Sequence, residues 1–114
     1  MSDQSAVHDE LSAALRELEA TMRATNLWRM EEPEASAFNS QQPFCIDTMS
    51  LPQWLRFVFI ARLQTLVEHR APLPANCDVA PAVDAWLIQE GARPEDRALM
   101  KKVVEDIDQL ITRN

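Results

Sequence analysis

Ser50-Leu51-Pro52-Gln53-Trp54-Leu55-Arg56-Phe57-Val58-Phe59-Ile60-Ala61-Arg62-Leu63-Gln64-Thr65-Leu66-Val67 begins as a helix begins and then turns apolar on nearly every side. A Ser side chain at the cap position receives the amide three residues on, while a Gln at that third position reaches back to the cap. Proline in the first turn costs nothing, because its missing N–H has no helical partner there. A helix without a polar face is buried on several sides, so this one occupies the middle of the molecule. Arg56 and Arg62 are its only charges before Glu68, and each needs a partner or a route to solvent.

Working outward, Val7, Leu11, Leu15, Leu18 and Met22 recur in steps of four, four, three and four, which predicts a helix from Ser5 to about Asn26. Ser2 or Ser5 is placed to cap it. On the other side, Ala71-Pro72-Leu73-Pro74-Ala75-Asn76-Cys77 ends the central helix near Arg70. A third helix is predicted from Ala80-Pro81 to Glu90, with Val83, Trp86 and Leu87 inward and Gly91 as its left-handed terminator. Pro94 opens a fourth, whose core stripe reads Leu99, Val103, Ile107 and Leu110, with Met100, Val104 and Ile111 flanking. The expected fold is all-α: one domain over residues 1–114, a small bundle of four main helices with a long ordered loop between helices one and two. That loop, residues 28–50, has two prolines and no sustained period, with a helical turn expected around Glu34–Phe38. Its Trp28, Phe38, Phe44, Ile46 and Met49 argue against disorder and for a connection held to the bundle by large side chains.

Composition removes whole classes of function. With one Gly in 114 residues there is no phosphate-cradling loop and no dinucleotide fingerprint. Two Cys and two His do not make a four-ligand zinc site without carboxylates, and no Glu-x-x-His pair recurs as a di-metal bundle requires. The net charge is -7, and its bias lies in the first 50 residues, with three basic side chains against nine acidic ones. Such a chain is not expected to bind nucleic acid directly or to lie on a membrane. Arg97, Lys101 and Lys102 form only a local positive patch. The longest apolar run, Phe57 to Ala61, is five residues, and Met1-Ser2-Asp3-Gln4 does not read as a secretory signal. A cytoplasmic protein with two free, largely buried thiols, Cys45 and Cys77, is expected.

No catalytic, cofactor or metal residue is assigned. His8 falls on the outer face of helix one, and His69 suits the C-terminal end of helix two. Asp9-Glu10, Glu31-Glu32 and Asp106 with Asp108 read as solvated surface. Asp47, between Ile46 and Thr48, is the one carboxylate with an apolar setting; the structural reading pairs it with Arg56 or Arg62, or makes it a cap of helix two.

Trp28-Arg29, Pro33, Phe38-Asn39-Ser40, Gln42-Pro43-Phe44, Asp47-Thr48-Met49, Trp54-Leu55, Val58, Ile60 and Arg62 closely resemble the YqcC-like proteins, and Pro72-Leu73-Pro74 and Val79-Ala80-Pro81 extend the likeness. The family often has Ile-Pro-Arg where this chain reads Ile60-Ala61-Arg62; alanine keeps its N–H, so helix two should be less kinked here. The resemblance implies a small bacterial helical protein of uncharacterised function, with no catalytic residues to carry over. Its gene is commonly found beside that of a C-type tRNA pseudouridine synthase. Two functions follow as expectations. The favoured one is a protein-interaction module, with Trp28, Phe44, Asp47, Trp54 and Arg62 as candidate partner-binding residues and that synthase as the first candidate partner. The alternative is a small-molecule or enzymatic pocket centred on Asp47, Thr48 and Arg62.

Overall fold

Four helices follow one another along the chain: α1 (Asp3–Ala24), α2 (51–68), α3 (Ala80–Gln89) and α4 (Pro94–Thr112). The computed structural model describes the backbone of residues 3–113 and the side chains of 6–113, and no strand occurs among the described residues. The capping proposed for Ser2 or Ser5 lies outside the side chains described. Two short 3-10 turns, Ala35–Asn39 and Pro43–Cys45, punctuate the connection between α1 and α2. The first is the turn expected near Glu34; the second has no periodic signal in the sequence.

α1 packs most extensively on α4, which also carries α3, while α2 completes the bundle against α1. Leu11, Leu18 and Met22 of α1 are fully buried with Met100, Val104, Ile107 and Ile111 of α4 in one apolar cluster. The expected α4 stripe is corrected by rotation of the helix. Met100, Val103, Val104, Ile107 and Ile111 face inward, whereas Leu99 is 53% exposed. A smaller cluster of Ala37, Cys45 and Met49 lies under the connection, and Trp54 packs against both. Phe38 and Ile46 are exposed, so Trp28, Phe44 and Met49 do the tethering.

The box at the start of α2 forms as read: the Gln53 amide donates to Ser50 Oγ at 3.3 Å, and the Ser50 amide to Gln53 Oε1 at 2.8 Å. Beyond it the helix is not regular. Leu51–Trp54 and Ala61–Glu68 are α, but Leu55–Ile60 is π-helical. The Ala61 N–H is indeed used, reaching Val58 O three residues back. A π turn takes in an extra residue, so it resets the rotation of everything after it relative to everything before. Here it lies between Trp54 and Arg62.

Three helices end alike. Gly91 has φ 72, as its position after α3 suggests, and the Ala92 amide closes on Leu87 O at 3.0 Å. Asn26 (φ 62) and Arg70 (φ 50) perform the same left-handed turn without glycine, closed by Leu27 to Met22 O at 2.7 Å and Ala71 to Leu66 O at 2.9 Å.

Candidate functional site

The connection between α1 and α2 is held by its own polar groups. Thr48 Oγ1 donates to Ala37 O at 2.8 Å and Cys45 O at 3.2 Å, while Ser40 Oγ accepts from the Gln42 amide at 3.1 Å and donates to the Asp47 carboxylate. Between these bonds, Phe44 (φ 58) and Cys45 (φ 49) are consecutive left-handed residues, a conformation that costs about 1–3 kcal/mol at each non-glycine position. Packing offsets that strain. The Phe44 ring stands edge-on to Trp54 with centroids 4.9 Å apart, Trp54 stacks on Phe59 at 5.3 Å, and Cys45 is buried.

The result is an aromatic face between the connection and α2. Two depressions open onto it, a largely apolar one of ≈ 340 Å³ and a mixed one of ≈ 320 Å³ with Ser40 and Gln42 among its walls, and both are lined by Phe44, Trp54 and Arg62. The structure therefore brings together three of the five candidate residues. Trp28 stands apart, with Arg56 4.4 Å over its ring, Arg23 5.2 Å from it, and its carbonyl accepting from Arg56 Nη1. Arg56 also lies 4.9 Å from the Phe57 ring, so this arginine finds its partners in aromatic faces and a carbonyl.

The structural role read for Asp47 is corrected. It is exposed, it pairs with neither Arg56 nor Arg62, and the cap of α2 is Ser50. The bonding of the connection turns its carboxylate toward Ser40 instead. Nor is a pocket of Asp47, Thr48 and Arg62 assembled. Neither Asp47 nor Thr48 lines the depressions that Arg62 lines, and the Thr48 hydroxyl is spent on backbone carbonyls.

Two buried polar residues escaped the sequence reading. His8 is 1% exposed, not on an outer face, and its Nε2 lies 2.7 Å from Ala71 O. Asp108 is 8% exposed, not solvated, and accepts from the Val79 and Ala80 amides at the start of α3 and from Cys77 Sγ at 3.1 Å. Both cysteines are free thiols. Burial, then the hydrogen bond and charge of Asp108, push the Cys77 thiol up from 9.0 to about 12. That leaves about 1000-fold less thiolate near neutrality than an ordinary cysteine has. The greater nucleophilicity of a more basic thiolate returns about 20-fold, so native Cys77 should react with iodoacetamide about 50-fold more slowly than unfolded Cys77. Mass spectrometry of timed alkylations at pH 8 checks this, and equal rates would refute it. The raised value also has a sign for stability: the protonated thiol is favoured in the folded state, so stability is intact below about pH 9 and falls as the pH rises toward 12.

Fold and face together define a small four-helix protein with an aromatic and arginine surface built on one irregular helix and a strained connection. The family DUF446, whose description is "tRNA pseudouridine synthase C", matches residues 10–110. The chain belongs to this family, the YqcC-like proteins. It is 39% identical over 103 residues to the uncharacterised protein YqcC of Escherichia coli, covering 90% of this chain and 92% of that one. An uncharacterised protein of Haemophilus influenzae is 44% identical over 70 residues, 61% of this chain and 66% of the relative. A tRNA pseudouridine synthase C of Pectobacterium carotovorum is 35% identical over 68 residues, which are 60% of this chain and 18% of that enzyme. The solution structure of E. coli YqcC superposes with a TM-score of 0.79 at 38% identity, covering 93% of this chain and 88% of that one. The all-α bundle is thus the fold of the family. No helix among the described residues is long and apolar enough to cross a membrane.

Proposed function

We propose that this chain is a cytoplasmic accessory domain that acts by binding a protein partner rather than by catalysis, through the face formed by Phe44, Trp54 and Arg62. The observation that carries the reading is the sharing of two adjacent depressions by those three side chains. Trp and Arg are the residue types that most often dominate protein contacts, and half-buried rings held by other rings present area at little entropic cost. The first candidate partner is a C-type tRNA pseudouridine synthase. Support for it comes from the Pectobacterium enzyme, 18% of whose length is similar to this chain. The acidic first half of the chain favours a protein partner over RNA.

Calorimetric titration against the synthase of the same bacterium, and separately against tRNA, tests the proposal. Saturable heat with the enzyme is expected, and only weak tRNA binding that collapses with salt. Tight, salt-resistant tRNA binding in the absence of the enzyme would overturn the reading, and no heat with the synthase would remove that partner.

A further inference from the structure

We infer that the face recognises a partner segment in which an apolar side chain is followed closely by a carboxylate, the apolar group entering the depression beside Trp54 and the carboxylate pairing with Arg62. This deepens the docking reading and rests on it. Arg62 is exposed and makes no hydrogen bond, ion pair or ring contact with any described residue, whereas Arg56, six residues earlier, is fixed on Trp28 and Phe57. The ≈ 320 Å³ depression between the connection and α2 has apolar walls at Phe38, Phe44, Trp54 and Val58 and polar ones at Ser40 and Gln42, and Arg62 is the only charged side chain lining it. Asp47, the carboxylate that the sequence would offer Arg62, is engaged by Ser40. Asp78 shares the neighbouring ≈ 340 Å³ depression with Arg62 but forms no ion pair with it, so the cation is left for an outside anion, beside the rings of Phe44 and Trp54.

A guanidinium fork matches a planar carboxylate with two parallel hydrogen bonds, and low-dielectric surroundings strengthen such a pair. The volume is at the small end for ligand sites, enough for one large side chain and its neighbour. A nucleic-acid phosphate backbone would need a series of cations, and this depression offers one.

Fragment probes followed by ¹H–¹⁵N NMR test the inference, with the indole signals of Trp28, Trp54 and Trp86 as three separate reporters. 3-Phenylpropionate is expected to move the Trp54 indole with millimolar affinity. Its neutral amide should bind about five- to tenfold more weakly, the worth of an accessible ion pair, and 2-phenylethylamine more weakly still. Arg62→Gln, an exposed substitution that leaves the fold intact, should bring acid and amide to the same affinity. Equal binding of acid and amide to the native protein, shifts confined to Trp28 or Trp86, or no shift at all would each overturn the inference. So would inorganic phosphate acting as strongly as the carboxylate, which would point to RNA. Titrating the synthase against Arg62→Glu separates the two levels. If it binds native and variant equally, the carboxylate inference falls and the docking reading stands only on Phe44 and Trp54. If it binds neither, that partner falls, and the fragment result still decides the inference.

Discussion

Replacing Asp108 by alanine is expected to lower the unfolding free energy by about 3 kcal/mol, seen as a fall in Tm of roughly 12 °C at about 4 °C per kcal/mol for a chain of this length. The carboxylate belongs to α4 but serves α3. Val79, at the cap position of α3, supplies no side-chain cap. Asp108 Oδ1 and Oδ2 take the Val79 amide at 3.0 and 2.9 Å, Oδ2 takes the Ala80 amide at 2.8 Å, and Oδ1 receives the Cys77 thiol. Alanine would leave two buried amides without an acceptor, at about 1–3 kcal/mol each, and would remove the negative charge that suits a helix N-terminus. Asp108→Asn keeps one acceptor oxygen and should cost about half as much. Asp106→Ala is the control. Asp106 is exposed, its Lys102 partner is 3.5 Å away, and its loss should fall within about 0.5 kcal/mol. Urea denaturation of the three variants decides the matter. If Asp108→Ala lost no more than Asp106→Ala, the cap would contribute nothing to holding α3 on α4.

That pair of aspartates shows where sequence reasoning stops. The box at Ser50, the Gly91 turn and the apolar spacing of α1 are local patterns, and local patterns dictate local structure. Which face of α4 turns inward is not local. Leu99 with Met100, Val103 with Val104 and Leu110 with Ile111 offer two overlapping stripes, and packing against α1 selects Met100, Val104 and Ile111 over Leu99. A signal for the missed polar residues was nonetheless present. His8 stands three before Leu11, and Asp108 stands four after Val104 and three before Ile111, so each sits on a core stripe. A polar side chain on such a stripe requires a buried partner, and Val79 preceding α3 without a capping side chain supplied one. The site was legible in its residue types but not in its pairings. Phe44 and Trp54 meet as their positions around the start of α2 suggest, whereas Arg62 joins them from beyond the π turn, which the sequence does not announce. The Asp47 ion pair fails because two successive left-handed residues redirect the chain just before it, and nothing at Phe44 or Cys45 announces a positive φ.

Trp54→Ala is expected to cost about 3 kcal/mol, the lower end for removing a packed tryptophan, because its ring is only half-buried. The loss should be uneven. Trp54 joins the main core to the small cluster of Ala37, Cys45 and Met49, so its removal detaches the connection more than the bundle. Hydrogen exchange should quicken across residues 35–49 while the central amides of α1 and α4 keep their order of protection. The strain at Phe44 and Cys45 gives a second, independent readout. Glycine is normally less stable than alanine by about 0.5–1 kcal/mol, but a left-handed φ penalises alanine by about 1–2 kcal/mol. Phe44→Gly should therefore be more stable than Phe44→Ala, reversing the usual order, although both lose the edge-on contact with Trp54. Partner binding should follow the same logic. At protein concentrations and temperatures where the variant stays folded, Trp54→Ala should weaken the synthase by about 2 kcal/mol or more, as loss of a central anchor does. A stability loss below about 1 kcal/mol, with Phe44→Ala the more stable of the two Phe44 variants, would mean that the aromatic stack does not hold the connection in its strained form. The face would then lack the rigidity on which its recognition of a partner depends.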